Sequence, residues 1–146
     1  MKRFEMFTVL IMKINRCIHK IKTEEMAEFN LKSPHVSCLY YLSQAESMTA
    51  TELCDVCGED KAAVSRSIEY LESNGYVYCS ADTKKRYKAE LTLTEKGKAV
   101  ALRIGEKIDA VLAKSSAGLS VEERNAVYEG LAAIERNLDE ICQNYK

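Results

Sequence analysis

A short segment near the middle of the chain constrains its fold more than any other part of the sequence. Thr49 and Glu52 have the spacing of a capping box, in which each side chain accepts a hydrogen bond from a backbone N–H group at the start of a helix. The short helix that follows ends at Gly58, and a second helix ends at Gly75, because glycine readily adopts the left-handed conformation that closes a helix. Two helices joined by a tight glycine turn predict a helix-turn-helix over residues 50–75.

The second helix of this motif separates into an inner and an outer face. Asp60 or Glu59 caps it, and apolar residues at helical spacing predict its buried face, which consists of Val64, Ile68 and Leu71. In a helix-turn-helix the second helix enters the major groove of DNA, and its first residues reach the base edges. We expect Arg66 to read a guanine or hold a phosphate, and Ser65 to bond to either. The motif therefore predicts five DNA-contacting residues, which are Thr49, Lys61, Ala62, Ser65 and Arg66.

Two segments rich in β-forming residues follow, at 76–80 and 89–94, with a basic stretch between them. They predict a β-hairpin whose loop is a DNA-binding wing carrying Lys84, Lys85, Arg86 and Lys88. The chain as a whole has a net charge of −1 and an isoelectric point of about 6.2, which argues mildly against nucleic acid. Residues 83–103, however, hold seven basic and two acidic side chains, and a local basic patch is an electrostatic footprint for DNA. Thr94 then caps a long helix.

Apolar residues recur at spacings of three and four in the first and the last helix. The stripe of the first helix, within residues 4–21, consists of Phe4, Phe7, Ile11, Ile14, Ile18 and Ile21. A capping box from Ser120 to Glu123 begins the last helix, whose stripe consists of Val127, Leu131, Ile134, Leu138 and Ile141. Such a stripe packs on another helix, in the same chain or in a partner. We favour a dimer seam over packing within one chain alone.

The sequence Ser33-Pro34 predicts the start of a further helix, because proline suits the first helical position and serine the cap before it. This helix is expected to end near Gln44. Its inward residues are predicted to be Val36, Leu39, Tyr40 and Leu42 or Ser43.

The run TELCDVCGEDKAAVSRSIEYLESNGYV (51–77), followed by ADTKKRYKAELTLTEKG (81–97), resembles the MarR family of regulators. The family pattern is a capped short helix, a glycine turn, a recognition helix and a wing that starts with Asp and closes with L-T-x-x-G. The matching residues are Ala62 or Ala63, Val64, Ser65, Arg66, Ile68, Leu71, Glu72, Gly75, Asp82, Leu93, Thr94 and Gly97.

This resemblance implies a homodimer joined by its first and its last two helices. It also implies that the two recognition helices enter successive major grooves of a pseudo-palindromic operator. One position departs from the family pattern, because Lys84 stands where the wing usually has Arg. Lysine is a point charge rather than a planar fork, so either Arg86 becomes the minor-groove residue or the wing contacts only the DNA backbone.

Six cysteines without a loop-rich, disulfide-rich pattern favour a reduced, cytoplasmic setting. Cys54 and Cys57 have the spacing of a redox dithiol or of half a zinc site. Both positions also fall where the helix-turn-helix needs small or apolar core residues, and we favour buried structural cysteines. The alternative is a dithiol oxidoreductase that uses this pair.

An effector pocket is the remaining prediction for the site, with Cys17, His35, Tyr40 and Tyr41 as its candidates. Cys17 lies in the first apolar stripe and could sense peroxide, as helix-1 cysteines of some relatives do, although packing is the favoured role. His35 and Cys38 lie one helical turn apart, but two histidines in the whole chain are few for a metal site. We predict no metal, no cofactor and no catalytic residues.

The whole chain, residues 1–146, is expected to form one mainly α-helical winged-helix protein with a small β-hairpin. Residues 1–30 and 115–146 would be dimerisation helices, and residues 95–114 a long connecting helix. Residues 33–97 would be the DNA-binding lobe, with its wing at 76–94.

The function predicted from these features is sequence-specific transcriptional regulation in a bacterial cytoplasm, modulated by a small ligand or an oxidant. The expected partners are double-stranded DNA, a second copy of the chain and a small-molecule effector. No membrane-spanning segment or enzymatic activity is expected. A winged-helix module that binds proteins rather than DNA is the other alternative.

Overall fold

The computed structural model describes residues 2–80 and 88–145. A π-helical turn at Glu5–Val9 continues into α1 (Leu10–Glu25), and a 3-10 turn at Ala27–Phe29 follows. The remaining elements, in chain order, are α2 (Ser33–Ser43), β1 (Met48–Thr49), α3 (Ala50–Cys57), α4 (Lys61–Ser73), β2 (Val77–Cys79), β3 (Glu90–Leu93), α5 (Glu95–Ser115) and α6 (Val121–Gln143). Among these residues no helix is long and apolar enough to cross a membrane.

The predicted helix-turn-helix is confirmed, together with the caps that define it. The Oγ1 atom of Thr49 accepts a hydrogen bond from the Glu52 N–H group at 3.2 Å, and a Glu52 carboxylate oxygen accepts one from the Thr49 N–H group at 2.8 Å. Gly58 adopts the left-handed conformation at the end of α3, with φ of 65°. Of the two cap candidates for α4, Asp60 is the cap, and its carboxylate accepts from the Ala63 N–H group at 2.8 Å.

The predicted hairpin is part of a three-stranded antiparallel sheet with the order β1-β3-β2. Val77 pairs with Leu93 and Cys79 with Leu91, while Met48 of β1 pairs with Leu91 from the other side. The sequence analysis missed β1 because a strand of two residues is too short to show an alternating pattern.

The predicted cap of α2 is wrong, because Lys32 and not Ser33 occupies the N-cap position. The Nδ1 atom of His35 accepts a hydrogen bond from the Lys32 N–H group at 3.0 Å, so an imidazole supplies the cap. The Ser33 hydroxyl instead lies 2.8 Å from Nδ1 of His19, and the Ser33 N–H group donates to Oγ1 of Thr23 at 3.2 Å. Ser33 therefore joins α2 to α1.

Residues 1–107 and residues 108–146 form two compact units. The first unit contains the sheet and the buried core, whose largest fully buried side chains include Met26, Leu39, Leu53, Leu71 and Ile104. The second unit contains the end of α5 and the whole of α6. None of the residues Val121–Gln143, all of which the structure describes, is buried.

Candidate nucleic-acid interface

The buried side of α4 holds the helix firmly in the first unit. Val64, Ile68 and Leu71 are buried as predicted, and so is Ser67, whose hydroxyl donates to the Ala63 carbonyl group at 2.8 Å. A buried polar group of this kind needs a partner, and the helix backbone provides it. The exposed side of α4 is thus presented on a fixed support.

The predicted recognition residues lie on the opposite side of α4, in its first turn and a half. Lys61, Ala62, Ser65 and Arg66 are all exposed. Within residues 2–80 and 88–145, neither Lys61 nor Arg66 has a hydrogen bond or an ion pair. Two positive side chains without partners on one exposed surface can meet phosphates or base edges.

Thr49 is half-buried, and its backbone and side chain already serve the start of α3. Its hydroxyl oxygen accepts the capping hydrogen bond, which leaves the hydroxyl proton to donate to a phosphate oxygen. Thr49 also pairs with Glu90 in the sheet. The predicted DNA contact of Thr49 is therefore compatible with its cap, and it stays a prediction.

The wing divides into a part that the structure describes and a part that it does not. Lys88 is exposed two residues before β3. Lys84, Lys85 and Arg86 lie outside the described residues. Their contact with DNA stays a prediction.

The base of the wing is tied to the end of α4 and to the start of α5. The Thr94 hydroxyl donates to the Gly75 carbonyl group at 2.6 Å and accepts from the Gly97 N–H group at 3.1 Å. The Thr94 N–H group donates to the Tyr76 carbonyl group at 3.0 Å. Gly97 lies so close to that carbonyl group that a Cβ atom would overlap its oxygen. These contacts explain in physical terms why the sequence L-T-x-x-G closes the wing.

A cavity of about 400 Å³ lies between α3, α4 and the sheet, and Thr51, Cys54, Lys61 and Ser65 are among the residues that line it. None of the four predicted effector residues lines this cavity. Because Lys61 and Ser65 belong to both surfaces, the cavity adjoins the candidate DNA-binding surface of α4.

The four predicted effector residues all lie in the first unit, where Tyr40 and Tyr41 contact each other and Cys17 and His35 have other surroundings. Cys17 is exposed on α1, and the half-buried Tyr40 and Tyr41 make an edge-to-face contact with ring centroids 5.3 Å apart. The His35 ring stacks on Tyr70 at a centroid distance of 4.2 Å. Partial burial, and then the nearby positive charge of Lys32, lowers the pKa of His35. The effector role of these residues stays a prediction.

The cysteines differ from the prediction in their burial and in their pairing. Cys54 and Cys57 are half-buried rather than buried, because Leu53 is the residue of α3 that fills the core. The thiol in contact with Cys57 is Cys38 of α2, with the two sulfur atoms 4.0 Å apart. The spacing of Cys54 and Cys57 gave no sign of this contact, which depends on the packing of α2 against α3. Over the described ranges, no three His, Cys, Asp or Glu residues are placed to hold a metal ion.

Known proteins are similar to this chain over one segment or over nearly its whole length. Residues 29–86 match the sequence model of the MarR family. The HTH-type transcriptional regulator YfiV of Bacillus subtilis is 27% identical over 131 residues, which cover 90% of this chain and 82% of that protein. A SlyA-like transcription regulator from Listeria monocytogenes superposes with a TM-score of 0.87 at 23% identity, covering 100% of this chain and 98% of that one. BpsR of Bordetella bronchiseptica superposes with a TM-score of 0.77 at 20% identity, covering 92% and 96%.

The capped helix-turn-helix, the sheet behind it and the exposed start of α4 define a winged helix-turn-helix protein. The structural likenesses show this same fold. Residues 29–86 match the MarR family of regulators, and most of the chain is similar to an HTH-type transcriptional regulator. The resemblance and the fold class predicted from the sequence are thereby confirmed.

Proposed function

We propose that this protein is a homodimeric transcriptional regulator in the cytoplasm that binds pseudo-palindromic operator DNA. The observation that carries the proposal is the contrast between the two sides of α4. Its inner side is buried and its N-terminus is capped by Asp60, while Lys61, Ser65 and Arg66 stand exposed and together. In a helix-turn-helix, this part of the second helix is the part that reaches the bases.

Arg66 is the residue to which we assign base recognition. A guanidinium group can bond to both acceptors of a guanine in the major groove, and such a contact contributes about 1–3 kcal/mol of discrimination against a wrong base. Lys61 is one helical turn before Ser65 and lies at the start of the helix, where it can hold a phosphate. Ala62 leaves room for the DNA to approach the helix closely.

The second copy of the chain is proposed from the exposed apolar stripes. In α6, Leu131, Ile134 and Leu138 are between 39% and 46% exposed, and the stripe of α1 is exposed as well. An exposed apolar stripe of this length marks an interaction site. Pairing with a second copy would bury the stripe of α6 and the stripe of α1 about a two-fold axis, which is the commonest symmetry of soluble dimers.

A two-fold dimer also fits the proposed operator. Dimers with a helix-turn-helix bind two half-sites whose centres are about 34–36 Å apart, one helical turn of DNA. The two α4 helices would then read the same sequence on opposite strands. The wing residues Lys84, Lys85, Arg86 and Lys88 would hold the flanking backbone, where lysine provides charge without base-specific geometry.

We further propose that a small ligand or an oxidant modulates DNA binding. DNA binding by BpsR, which has the same fold, is regulated by 6-hydroxynicotinic acid. A ligand regulates only if it binds one spacing of the two α4 helices better than another. Cys17, His35, Tyr40 and Tyr41 are the residues proposed to line an effector pocket.

The test is a fluorescence anisotropy titration with duplexes from the region upstream of the protein's own gene, at several salt concentrations. A regulator binds its operator at least about a thousandfold more tightly than random duplex of the same length. The logarithm of its affinity also falls linearly with the logarithm of the salt concentration. Equal binding to both duplexes would contradict sequence-specific regulation. A stable dimer with no salt-dependent DNA binding would favour a protein-interaction module instead.

A further inference from the structure

We propose that Cys38 and Cys57 are a modification site at which a peroxide forms an intramolecular disulfide bond that moves the recognition helix. The site joins α2 to the last residue of α3, one residue before the turn of the helix-turn-helix. Its effect on DNA rests on the function proposed above, while its chemistry does not.

The geometry of the two thiols supports a direct bond between them. The sulfur atoms of Cys38 and Cys57 are 4.0 Å apart, whereas a disulfide bond is about 2.05 Å long. Closing this distance requires the two sulfur atoms to approach by about 2 Å, and we assign part of this shift to the backbone at the end of α3. Cys38 is fully buried, and Cys57 is half-buried. A peroxide in solution therefore reaches Cys57 first, and Cys38 lies behind it to complete the bond.

The surroundings of the two thiols assign them different roles. The hydrogen bond between the thiols of Cys57 and Cys38 lowers the pKa of Cys57, and the positive charge of Lys22 acts in the same direction. Burial and the negative charge of Glu59 oppose this change without reversing it. The pKa of Cys38 is raised, because its proton is held by Cys57 and because it is buried. The reactive thiolate is thus Cys57, since the thiolate form is the nucleophile.

Lys22 is held in place at this site by a second contact. Its ammonium group donates a hydrogen bond to the Ser37 hydroxyl group at 2.9 Å, and Ser37 is the neighbour of Cys38 in α2. Nearby, Nδ1 of His19 lies 3.9 Å from a Glu59 carboxylate oxygen. Two residues of α1, Lys22 and His19, therefore lie close to the end of α3 and to the turn that follows it.

The reaction proceeds in two steps. The Cys57 thiolate attacks one oxygen of a hydroperoxide, so that an S–O bond forms, the O–O bond breaks and the second oxygen leaves as an alcohol or water after taking a proton. Cys38, as its thiolate, then attacks the sulfur of the Cys57 sulfenic acid, so that the S–S bond forms and the oxygen leaves as water. The two cysteines lose two electrons and two protons in total, and the hydroperoxide takes them up.

The disulfide would act on DNA binding through the short turn that follows Cys57. Only Gly58, Glu59 and the cap residue Asp60 separate Cys57 from the first residue of α4. A shift at the end of α3 is therefore passed to the turn that presents Lys61 and Arg66. The cysteines are free in the arrangement to which DNA binding is assigned above. Oxidation would displace the recognition helix from this arrangement, so the oxidised protein should bind operator DNA about tenfold more weakly, within the range usual for coupling between sites.

The first experiment maps the disulfide in the full-length protein, independently of DNA. The reduced protein is treated with one equivalent of hydrogen peroxide or cumene hydroperoxide, digested without reductant and analysed by mass spectrometry. We expect a cross-linked peptide pair containing Cys38 and Cys57. Cys57→Ser should abolish it, while the matched control Cys54→Ser, one helical turn earlier in α3, should retain it. In Cys38→Ala the Cys57 sulfenic acid should persist and react with dimedone.

Other products would overturn the proposal. A disulfide bond between Cys54 and Cys57 would instead support the redox dithiol that their spacing in the sequence suggested. Oxidation confined to the exposed Cys17 and Cys142 would show that the pair does not react.

The second experiment measures what the bond does to the recognition helix. Hydrogen exchange at residues 58–66 should change on oxidation of the unmodified protein and of Cys54→Ser, and should not change in Cys57→Ser. Anisotropy should show the tenfold loss of operator affinity in the same two proteins. Unchanged exchange with an intact disulfide would overturn the proposed movement. If the reduced protein bound no operator, only the proposed function would be contradicted. Peptide mapping would still test whether the disulfide forms, and hydrogen exchange would still test whether it moves α4.

Discussion

Two helices of this protein, α4 and α6, carry apolar residues at similar spacing but differ in whether the rest of the chain buries them. In α4, Val64, Ile68 and Leu71 are buried by α2, α3 and the sheet of the same chain. In α6, which is ten residues longer, none of the residues Val121–Gln143 is buried, and its apolar stripe faces solvent. Periodicity therefore predicts that a helix has an apolar face, but not which molecule covers it.

The proposed function has two requirements, a recognition surface on α4 and a dimer formed through α6, and the two helices meet them in different ways. The lobe that contains α4 builds its recognition surface within one chain, whereas the stripe of α6 needs a second surface to become buried. The substitutions below are expected to affect one requirement and leave the other intact.

The largest effect is expected from Leu131→Asp in the middle of the α6 stripe. In the proposed dimer each substitution would remove a leucine that the second copy buries and would place a charge in the seam, and a two-fold dimer contains it twice. We expect the dimer to weaken by about 4 kcal/mol or more, roughly a thousandfold in its dissociation constant. Analytical ultracentrifugation measures this change, and circular dichroism should show that the lobe remains folded. Asn125→Asp introduces the same group on the opposite side of α6 and should leave the dimer intact. Equal behaviour of the two variants would mean that the stripe is not the seam.

Gly97→Ala tests the packing inside the lobe. A Cβ atom at residue 97 would overlap the Tyr76 carbonyl oxygen, which also accepts the hydrogen bond of Thr94. We expect the free energy of unfolding to fall by about 3 kcal/mol, measured by urea denaturation at a fixed protein concentration. Gly105→Ala in the same helix meets no atom within 4 Å and should stabilise by about 1 kcal/mol, because alanine favours the helix. Similar stabilities of the two variants would contradict the close approach.

Arg66→Ala tests base recognition by α4. Operator affinity should fall by about 1–3 kcal/mol, and the preference for the correct base at one position of each half-site should be lost. Arg103→Ala removes an exposed arginine that already pairs with Glu106 in α5, and it should change operator affinity little. A competition titration with single-base operator variants measures both effects. Unaltered base preference in Arg66→Ala would mean that a different residue reads the DNA.

Lys84→Ala and Lys85→Ala should have smaller effects that do not depend on sequence. Each removes one proposed phosphate contact, so operator and random duplex should both bind more weakly, and the salt slope should fall by about one for each contact. Titrations at four or more salt concentrations provide the slope. If only the affinity for the operator fell, and not the affinity for random duplex, the wing would read bases as well and α4 would not be the sole source of specificity.

The smallest effect concerns the pH dependence of the lobe. The pKa of His35 is lowered in the folded protein, so its neutral ring contributes stability above its ordinary value of about 6.5, and this contribution is lost as the pH falls below that value. His35→Asn keeps an acceptor for the Lys32 N–H group but does not titrate. Thermal unfolding between about pH 7.5 and 5.5 should therefore show a smaller decline of Tm in the variant than in the unaltered protein. A steeper decline in the variant would contradict the assignment.

The sequence was sufficient for elements whose cause is local. The caps at Thr49 and Ser120 and the glycine turn at Gly58 involve residues within a few positions of one another, and the structure confirms them. For α4 the sequence left Asp60 and Glu59 as candidates, and the structure has Asp60 as the cap. The helix-turn-helix, and with it the exposed set on α4, follows from these local signals.

Elements that depend on packing between distant segments could not be predicted in this way. The strand β1 exists only because Met48 meets Leu91, and the contact of Cys38 with Cys57 exists only because α2 packs on α3. The imidazole cap of α2 had no signal in the standard capping pattern, since His35 stands where that pattern has a carboxylate or amide. Serine before proline suggested the usual cap, but contacts with α1 engage Ser33 instead.

The two-residue strand β1 also has a consequence for the order of folding during synthesis. The partner of Met48 is Leu91, and the two are separated by the whole helix-turn-helix and the wing. The chain leaves the ribosome from its N-terminus, so α3 and α4 emerge before the strand that joins them to the sheet. Closing so long a loop is slow compared with forming a helix. The recognition helix is therefore made early but reaches its final support only after β3 has been synthesised.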